Sequence, residues 1–351
     1  MNVKPLFELM VEKKASDLFF APFAPVKIKI DGKIMSVNKL QLTPKQVRQA
    51  AMEIMTEEQM ETLARDLEID FAVSEQGLGR FRVNVFHQRG NLAMVLRYIT
   101  AEMPSLEELG MPEIFGDLVL NRRGLILMVG STGSGKSTTI AAMIDHRNRN
   151  TASHIITIED PIEFLHKNQK SIVNQRELGA DTKSYHAAIR SALRAAPDLV
   201  LIGEIRDVET MQAAISVAGT GQLAIATLHS NNAPETLDRI INMFPVAQQK
   251  QVFVDLSQYL KAIISQRLVR NREGKRVAAV ELMLNTPHIA ELIEKGDITG
   301  VKEALKESTE KGMQNFDTAL LQLYRRGTIT LQEALVNADS RSNLEAQINF
   351  G

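Results

Sequence analysis

The sequence predicts an α/β protein: an α+β domain over residues 1–100, a linker over 101–113, a parallel α/β core over 114–285 and a helical region over 286–351. Three observations carry that reading. Alternating apolar and polar residues bracket glycine turns in the first hundred residues. Beyond them, unbroken apolar runs alternate with helical patterns, as in a parallel sheet covered on both faces. Finally, "GLILMVGSTGSGKSTTIAAMIDH", from Gly124 to His146, sets a glycine-punctuated loop between one such run and a helix.

Taken in order, "MNVKPLFELMVEKK" holds an apolar run too short for a signal peptide and interrupted by Glu8. In "VKIKIDGKIMSV" the alternation on both sides of Asp31-Gly32 predicts a two-residue β-hairpin. Thr43 before Pro44 predicts an N-cap and a first helical residue, with the helix running to about Arg65. "DFAVSEQGLGRFRVNVFHQRGNLAMVLRYI" then reads as three strands, separated by Gly77-Leu78-Gly79 and by a turn near Gly90. A polar, acidic stretch with two prolines forms the linker. In the core, candidate strands are Leu125–Val129, Ile155–Ile158, Leu199–Gly203, Leu223–Thr227 and Val277–Glu281. Candidate helices include Thr138–His146, Ser184–Ala196 and Asp207–Ala218, and a helical tail starts near Thr286.

The loop fits G-x-x-x-x-G-K-[ST] at Gly130, Gly135, Lys136 and Ser137. A phosphate chain needs backbone N–H groups turned inward, and glycine permits both close approach and positive φ. A helix starting near Lys136 adds unpaired amides and the positive end of its dipole. Lys136 then reaches the β/γ-phosphates, and the Ser137 hydroxyl sits on Mg²⁺. The ligand that this pattern asks for is a nucleoside triphosphate.

Composition narrows the alternatives. Net charge is −1 over 351 residues, so no broad attraction to nucleic acid or anionic lipid is expected. Tryptophan is absent and aromatics make up 5% of residues, which weakens any base-stacking platform. There is no cysteine, hence no disulfide or thiolate metal site, which suits a reducing compartment. The longest uncharged stretches read as helix, turn and buried strand, so a cytoplasmic protein without membrane insertion is expected.

In an open α/β sheet, ligands sit beyond the carboxyl ends of the strands. "IITIEDPIEF" puts Glu159, Asp160 and Glu163 beyond one strand, and "DLVLIGEIRD" puts Glu204 beyond another. Glu163 is the candidate for orienting the attacking water and Glu204 for magnesium, directly or through water; the two roles can be exchanged. His229 closes "LAIATLHS" in the same way, as a polar cap or a sensor of the γ-phosphate. Two arginine pairs stand out. A two-residue turn near Gly90 puts Arg82 and Arg97 opposite or diagonal on one hairpin face, where like charges call for an anion between them. Arg190 and Arg194 repeat the problem at i,i+4 on a helix. Solvated surface positions are the plain alternative for each pair. Triphosphate is the anion at hand, reached by domain closure or from a neighbouring subunit.

These residues resemble the secretion-type hexameric ATPases, and within them the type IV pilus retraction ATPases of the PilT/PilU kind. The likeness runs nearly end to end through "ASDLFF", "GRFRVNVF", "GSTGSGKST", "IITIEDPIEF", "VNQRELG", "ALRAAPDLVLIGEIRD", "ATLH" and "GMQNFDTAL". The resemblance implies a PAS-like N-terminal domain, a RecA-like motor domain and a C-terminal helical region in a ring of six. It places Walker A on Gly130, Ser131, Thr132, Gly133, Ser134, Gly135, Lys136, Ser137 and Thr138, and the acidic box on Glu159, Asp160 and Glu163. Walker B falls on the strand ending at Glu204, the His box on Gly219 to His229, and the catalytic arginines on Arg82, Arg97, Arg190 and Arg194. ATP and Mg²⁺ are the implied cofactors. The principal retraction ATPase and an inner-membrane pilus platform protein are the implied partners, at the cytoplasmic face of the inner membrane.

Two departures bear on the branch. The His box usually carries two histidines, whereas here "AGTGQLAIATLH" has Gln222 at the first. Gln hydrogen-bonds but carries no charge. The principal ATPase has A-I-R-N-L-I near the start of its last region, whereas here "HIAELI" places Ala290 at the arginine. With "VEKKASDLFF" and "NTPHIAELIEKGD", this resembles the accessory PilU branch. A principal PilT-type motor and a passive nucleotide-gated ring member are the alternatives, and a nucleic-acid motor conflicts with the near-neutral charge.

Overall fold

The computed structural model describes every residue except Met1, Thr100, Ala101, Thr309, Lys311 and Gly351. The chain divides into two compact units, Met1–Glu102 with Glu163–Leu165, and Met103–Ile162 with His166–Gly351.

The first unit opens with helix α1 (Lys4–Glu12), strand β1 (Asp17–Phe20) and the hairpin β2 (Pro25–Ile30) to β3 (Lys33–Gln41). Asp31 and Gly32 have φ of 49° and 79°, the two positive values that a type I′ turn requires. The single helix expected from Thr43 to Arg65 is two: α2 (Pro44–Ile54) and α3 (Glu57–Asp66). Met55 is extended, and Thr56 starts a second capping box in which Thr56 and Gln59 satisfy each other's backbone N–H groups, as Thr43 and Gln46 do for α2. Strands β4 (Glu68–Glu75), β5 (Gly79–Gln88) and β6 (Asn91–Ile99) follow as expected. Arg89 and Gly90 form a second two-residue turn with positive φ. The six strands make one antiparallel sheet in the order β3-β2-β1-β6-β5-β4. Its core packs Phe7, Met10, Leu18, Phe20, Phe81 and Leu96, among others, from helix and sheet.

Among the described residues the second unit is built on seven strands. In chain order its elements are α4 (Ile114–Leu120), β7 (Gly124–Val129), α5 (Lys136–Asn150), β8 (His154–Glu159), β9 (Ile172–Glu177) and α6 (Tyr185–Ala192). They continue with β10 (Leu199–Ile202), α7 (Val208–Gly219), β11 (Leu223–Leu228), α8 (Ala233–Met243), α9 (Val246–Tyr259), β12 (Leu260–Arg270) and β13 (Arg276–Leu284). Helices α10 (Pro287–Lys295), α11 (Ile298–Glu307), α12 (Phe316–Arg325), α13 (Leu331–Asn337) and α14 (Arg341–Phe350) complete it. The sheet order is β13-β12-β7-β11-β10-β8-β9. All neighbours are parallel except β12 and β13, so the expected all-parallel sheet ends in an antiparallel hairpin.

The apolar strands are apolar because both faces are covered. Leu125, Leu127 and Val129 of β7 point into one core with α6 to α10, and Ile126 and Met128 into another with α4 and α5. The second half of the expected linker is part of this unit: Leu106 and Met111 are buried with Phe115 and Ile140, and Ser105 and Glu108 cap each other. A smaller core joins α12, α13 and α14 to Val269 and Ala279.

Candidate nucleotide site

Four features converge at the carboxyl ends of the parallel strands: the loop after β7, the first turn of α5, the loop after β10 and the end of β11. Gly130, Gly133 and Gly135 have φ of 147°, 80° and 87°. At Gly130 and Gly135 space forbids a side chain as firmly as φ does. A Cβ on Gly130 would stand 2.5 Å from the Gln266 carbonyl and 2.6 Å from Ser134 Oγ, and one on Gly135 2.7 Å from Gln266 Nε2.

Lys136 lies half-buried at the loop's mouth, where Nζ donates to the carbonyls of Gly130 (2.7 Å) and Ser131 (3.0 Å). Burial pushes its pKa down from the ordinary lysine value, and the Glu204 carboxylate opposes that shift. Ser131, Thr132, Gly133 and Ser137 are exposed, Thr138 is partly so, and Ser134 is buried.

Sequence reasoning missed Gln266, on a strand it did not predict. This side chain is buried; its Nε2 donates to the Ser134 carbonyl (2.8 Å) and its Oε1 accepts from Thr139 Oγ1 (2.8 Å). It ties the phosphate loop and the first turn of α5 to the central sheet.

Glu204 is gripped at both oxygens. Oε1 lies 2.9 Å from His229 Nε2, and Oε2 accepts from Arg206 Nε (2.7 Å) and Nη2 (2.6 Å). His229 is fixed in turn by its carbonyl, which accepts from Arg239 Nη1 at 2.6 Å. Tyr185 stands beside this group: a Cβ on Gly203 would be 3.0 Å from its hydroxyl. Burial first, then the Asp160 carboxylate, pushes its phenol well above the ordinary tyrosine value, against the opposing charge of Arg206. Arg206 and Tyr185 were not legible in the sequence as parts of the site.

Glu159 is turned inward, accepting from Thr157 Oγ1 (2.6 Å) and Gln175 Nε2 (3.1 Å). Glu163 is exposed and makes no hydrogen bond or ion pair among the described residues.

The arginine pairs differ from expectation. Arg82 and Arg97 are directly opposite in the β5–β6 register, yet each has a carboxylate: Arg82 pairs with Asp70, and Arg97 Nε with Asp17 Oδ1 at 2.9 Å. The like charges are therefore compensated within the sheet. Arg190 and Arg194 are exposed, but not as i,i+4 neighbours on one α-helix. Helix α6 ends at Ala192, and Arg194 sits in a 3-10 turn, Leu193–Ala195, before Ala196 turns left-handed and Pro197 bars continuation.

Gln222 is not at this site. It precedes β11 next to Gly124, at the amino end of the sheet, and accepts from Thr220 Oγ1. The six residues of β11 put it about 20 Å along the strand from His229.

The donors present suit magnesium. Ser137 and Glu204 offer hard oxygens, and the described residues hold no cluster of three or more His, Cys, Asp or Glu able to bind a metal alone.

The profile of the family described as "Type II/IV secretion system protein" matches residues 2–336. The chain belongs to this family. Among its secretion-family relatives, it is 49% identical to the type IV pilus ATPase PilU of Pseudomonas aeruginosa, over 100% of this chain and 92% of that one. It is 40% identical to the type IV pilus retraction ATPase PilT of the same organism, over 98% and 100%. Among solved structures it is similar to the pilus retraction motor PilT with bound ADP, with TM-score 0.92 and 42% identity over 98% and 99% of the two chains. Among the described residues no helix is long and apolar enough to cross a membrane.

Proposed function

We propose that the chain is an ATP-hydrolysing motor of type IV pilus retraction, of the accessory PilU kind. One observation supports this most: a complete phosphate loop beside the Glu204–His229–Arg206 group, in a chain 49% identical to PilU along its whole length.

In this reading the amides of Gly130 to Lys136 and the Lys136 ammonium hold the β- and γ-phosphates. Magnesium, held by the Ser137 hydroxyl and by Glu204 through water, supplies charge neutralisation on the phosphates when bound. Glu163 or Glu204 orients the attacking water, and His229 reads the γ-phosphate. Arg82, Arg97, Arg190 and Arg194 stabilise the developing charge. The first unit is PAS-like, the second RecA-like, and six copies form a ring in which first-unit arginines serve a neighbour's nucleotide. The ring acts with the principal retraction ATPase on an inner-membrane platform protein, at the cytoplasmic face.

A passive ring member is the weaker reading. It rests on Gln222 standing where the family carries a histidine, and that position lies at the amino end of β11, opposite the strand ends that carry the phosphate loop. Phosphate release from ATP by the purified chain tests the choice. The motor reading expects turnover that Lys136→Ala abolishes; turnover unchanged by that substitution would remove the assignment.

A further inference from the structure

The face of the first sheet turned away from the first unit's core carries a row of charges in register. Lys29 of β2 lies opposite Asp17 of β1, Asp17 opposite Arg97 of β6, and Arg97 opposite Arg82 of β5. The two arginines were equivalent in the sequence. They are not equivalent in the fold.

Asp17 is buried, with 5% of its side chain exposed, whereas the Arg97 side chain is 62% exposed. Asp17 Oδ1 takes only the Nε–H of Arg97, at 2.9 Å, and Oδ2 accepts from Ser16 Oγ at 2.8 Å, with Lys29 Nζ 3.8 Å away. Both terminal nitrogens of Arg97 are left without a partner among the described residues. Arg82 is bound the other way round. Its Nε and Nη2 close on the Asp70 carboxylate, with Nε at 2.9 and 3.1 Å from the two oxygens. A guanidinium recognises phosphate through two parallel N–H groups, so the geometry around each arginine decides which fork is available.

We propose that Asp17 is the positioning residue for Arg97, fixing the guanidinium at Nε so that its two terminal nitrogens form a ready fork for a phosphate, whereas Asp70 occupies the Nε–Nη2 side of Arg82 and leaves that arginine the lesser part. This rests on the reading that a first-unit arginine serves a neighbouring subunit's triphosphate. Holding the fork in advance removes the cost of ordering a long side chain at the moment of reaction, so the gain falls on kcat more than on KM.

The test is a mutant cycle on the full-length chain, reading kcat and KM for ATP by phosphate release. Arg97→Ala lowers kcat by about a hundredfold, the usual cost of one lost donor to developing charge. Asp17→Asn keeps an acceptor for Nε but drops the charge; it lowers kcat by about tenfold and leaves KM within about twofold. Added to Arg97→Ala, Asp17→Asn causes no further loss, because a positioning residue has nothing left to position. Asp70→Asn changes kcat by less than about twofold, because the fork it releases is the secondary one. If Asp17→Asn yields no folded protein, Asp17→Glu, which moves the carboxylate out by one methylene, carries the same cycle. Equal losses from the Asp17 variant in both backgrounds would mean a purely structural role and overturn the proposal. So would wild-type kcat in Asp17→Asn, or equal damage from Asp70→Asn. Wild-type kcat in Arg97→Ala would instead remove the trans-arginine reading itself.

Discussion

Replacing Gln266 by leucine tests how the phosphate loop is held. The side chain keeps its volume but loses both hydrogen-bonding ends, leaving the Ser134 carbonyl unpaired and the Thr139 hydroxyl with only the Met111 sulfur, 3.9 Å away, in a site where Thr139 and Gln266 are 1% and 2% exposed. A buried orphan costs about 1–3 kcal/mol, so the second unit should lose at least about that much. The loop also loses its tie to the central sheet, and KM for ATP should rise. Thr139→Val alone leaves Gln266 Oε1 as a buried orphan, and that orphan is absent once Gln266 is leucine. The double variant should then be more stable than the sum of the single losses by about 1–3 kcal/mol. Denaturant unfolding of the second unit, with parallel ATP kinetics, measures both quantities. Strict additivity, or a Gln266→Leu protein with wild-type stability and KM, would refute the buttress argument.

Other predictions follow from the same geometry. Glu204→Gln removes the charge shared by Arg206 and His229, so turnover should fall by about a hundredfold or more while nucleotide still binds; equilibrium binding alongside phosphate release checks this. Gln222→His restores a histidine at the amino end of β11, about 20 Å from His229, and should leave ATP turnover by the purified chain within about twofold. Glu281 is buried on β13, and burial lifts its carboxyl to about 7 against hydrogen bonds from the Ala233 N–H and Ser265. Its folded pKa exceeds its unfolded value near 4.5, so the folded state binds this proton more strongly. Stability contributed by this group should therefore fall as pH rises from about 4.5 to about 7 and then level off. Glu281→Gln should flatten that limb in unfolding experiments between about pH 5 and 8.

The legible parts of the chain were those where one residue type answers one local demand. β7, β8, β10 and β11 are covered on both faces and read as apolar runs; the phosphate loop is a backbone demand that only glycine meets. Glu204 and His229 followed from the rule that ligands gather at strand ends. β9 was missed because "IVNQRE" is a polar edge strand, and β12 because it follows α9 with no glycine or proline between them. Gln266 was invisible because its partner Ser134 lies 132 residues away. The hairpin turn put Arg82 and Arg97 on one face, opposite or diagonal, but did not give the carboxylates that compensate them. Asp17 reaches Arg97 across 80 residues through a strand pairing that alternation in "ASDLFF" does not announce.

In the proposed function, ATP turnover at this phosphate loop drives pilus retraction. Retraction under load, measured in cells whose only copy of this chain is wild type, Lys136→Ala or deleted, tests it most directly. The account predicts that the Lys136→Ala cells retract as poorly as the deletion, although the protein is present at normal level. Retraction at the wild-type rate in those cells would contradict it and leave the chain a passive member of the machine.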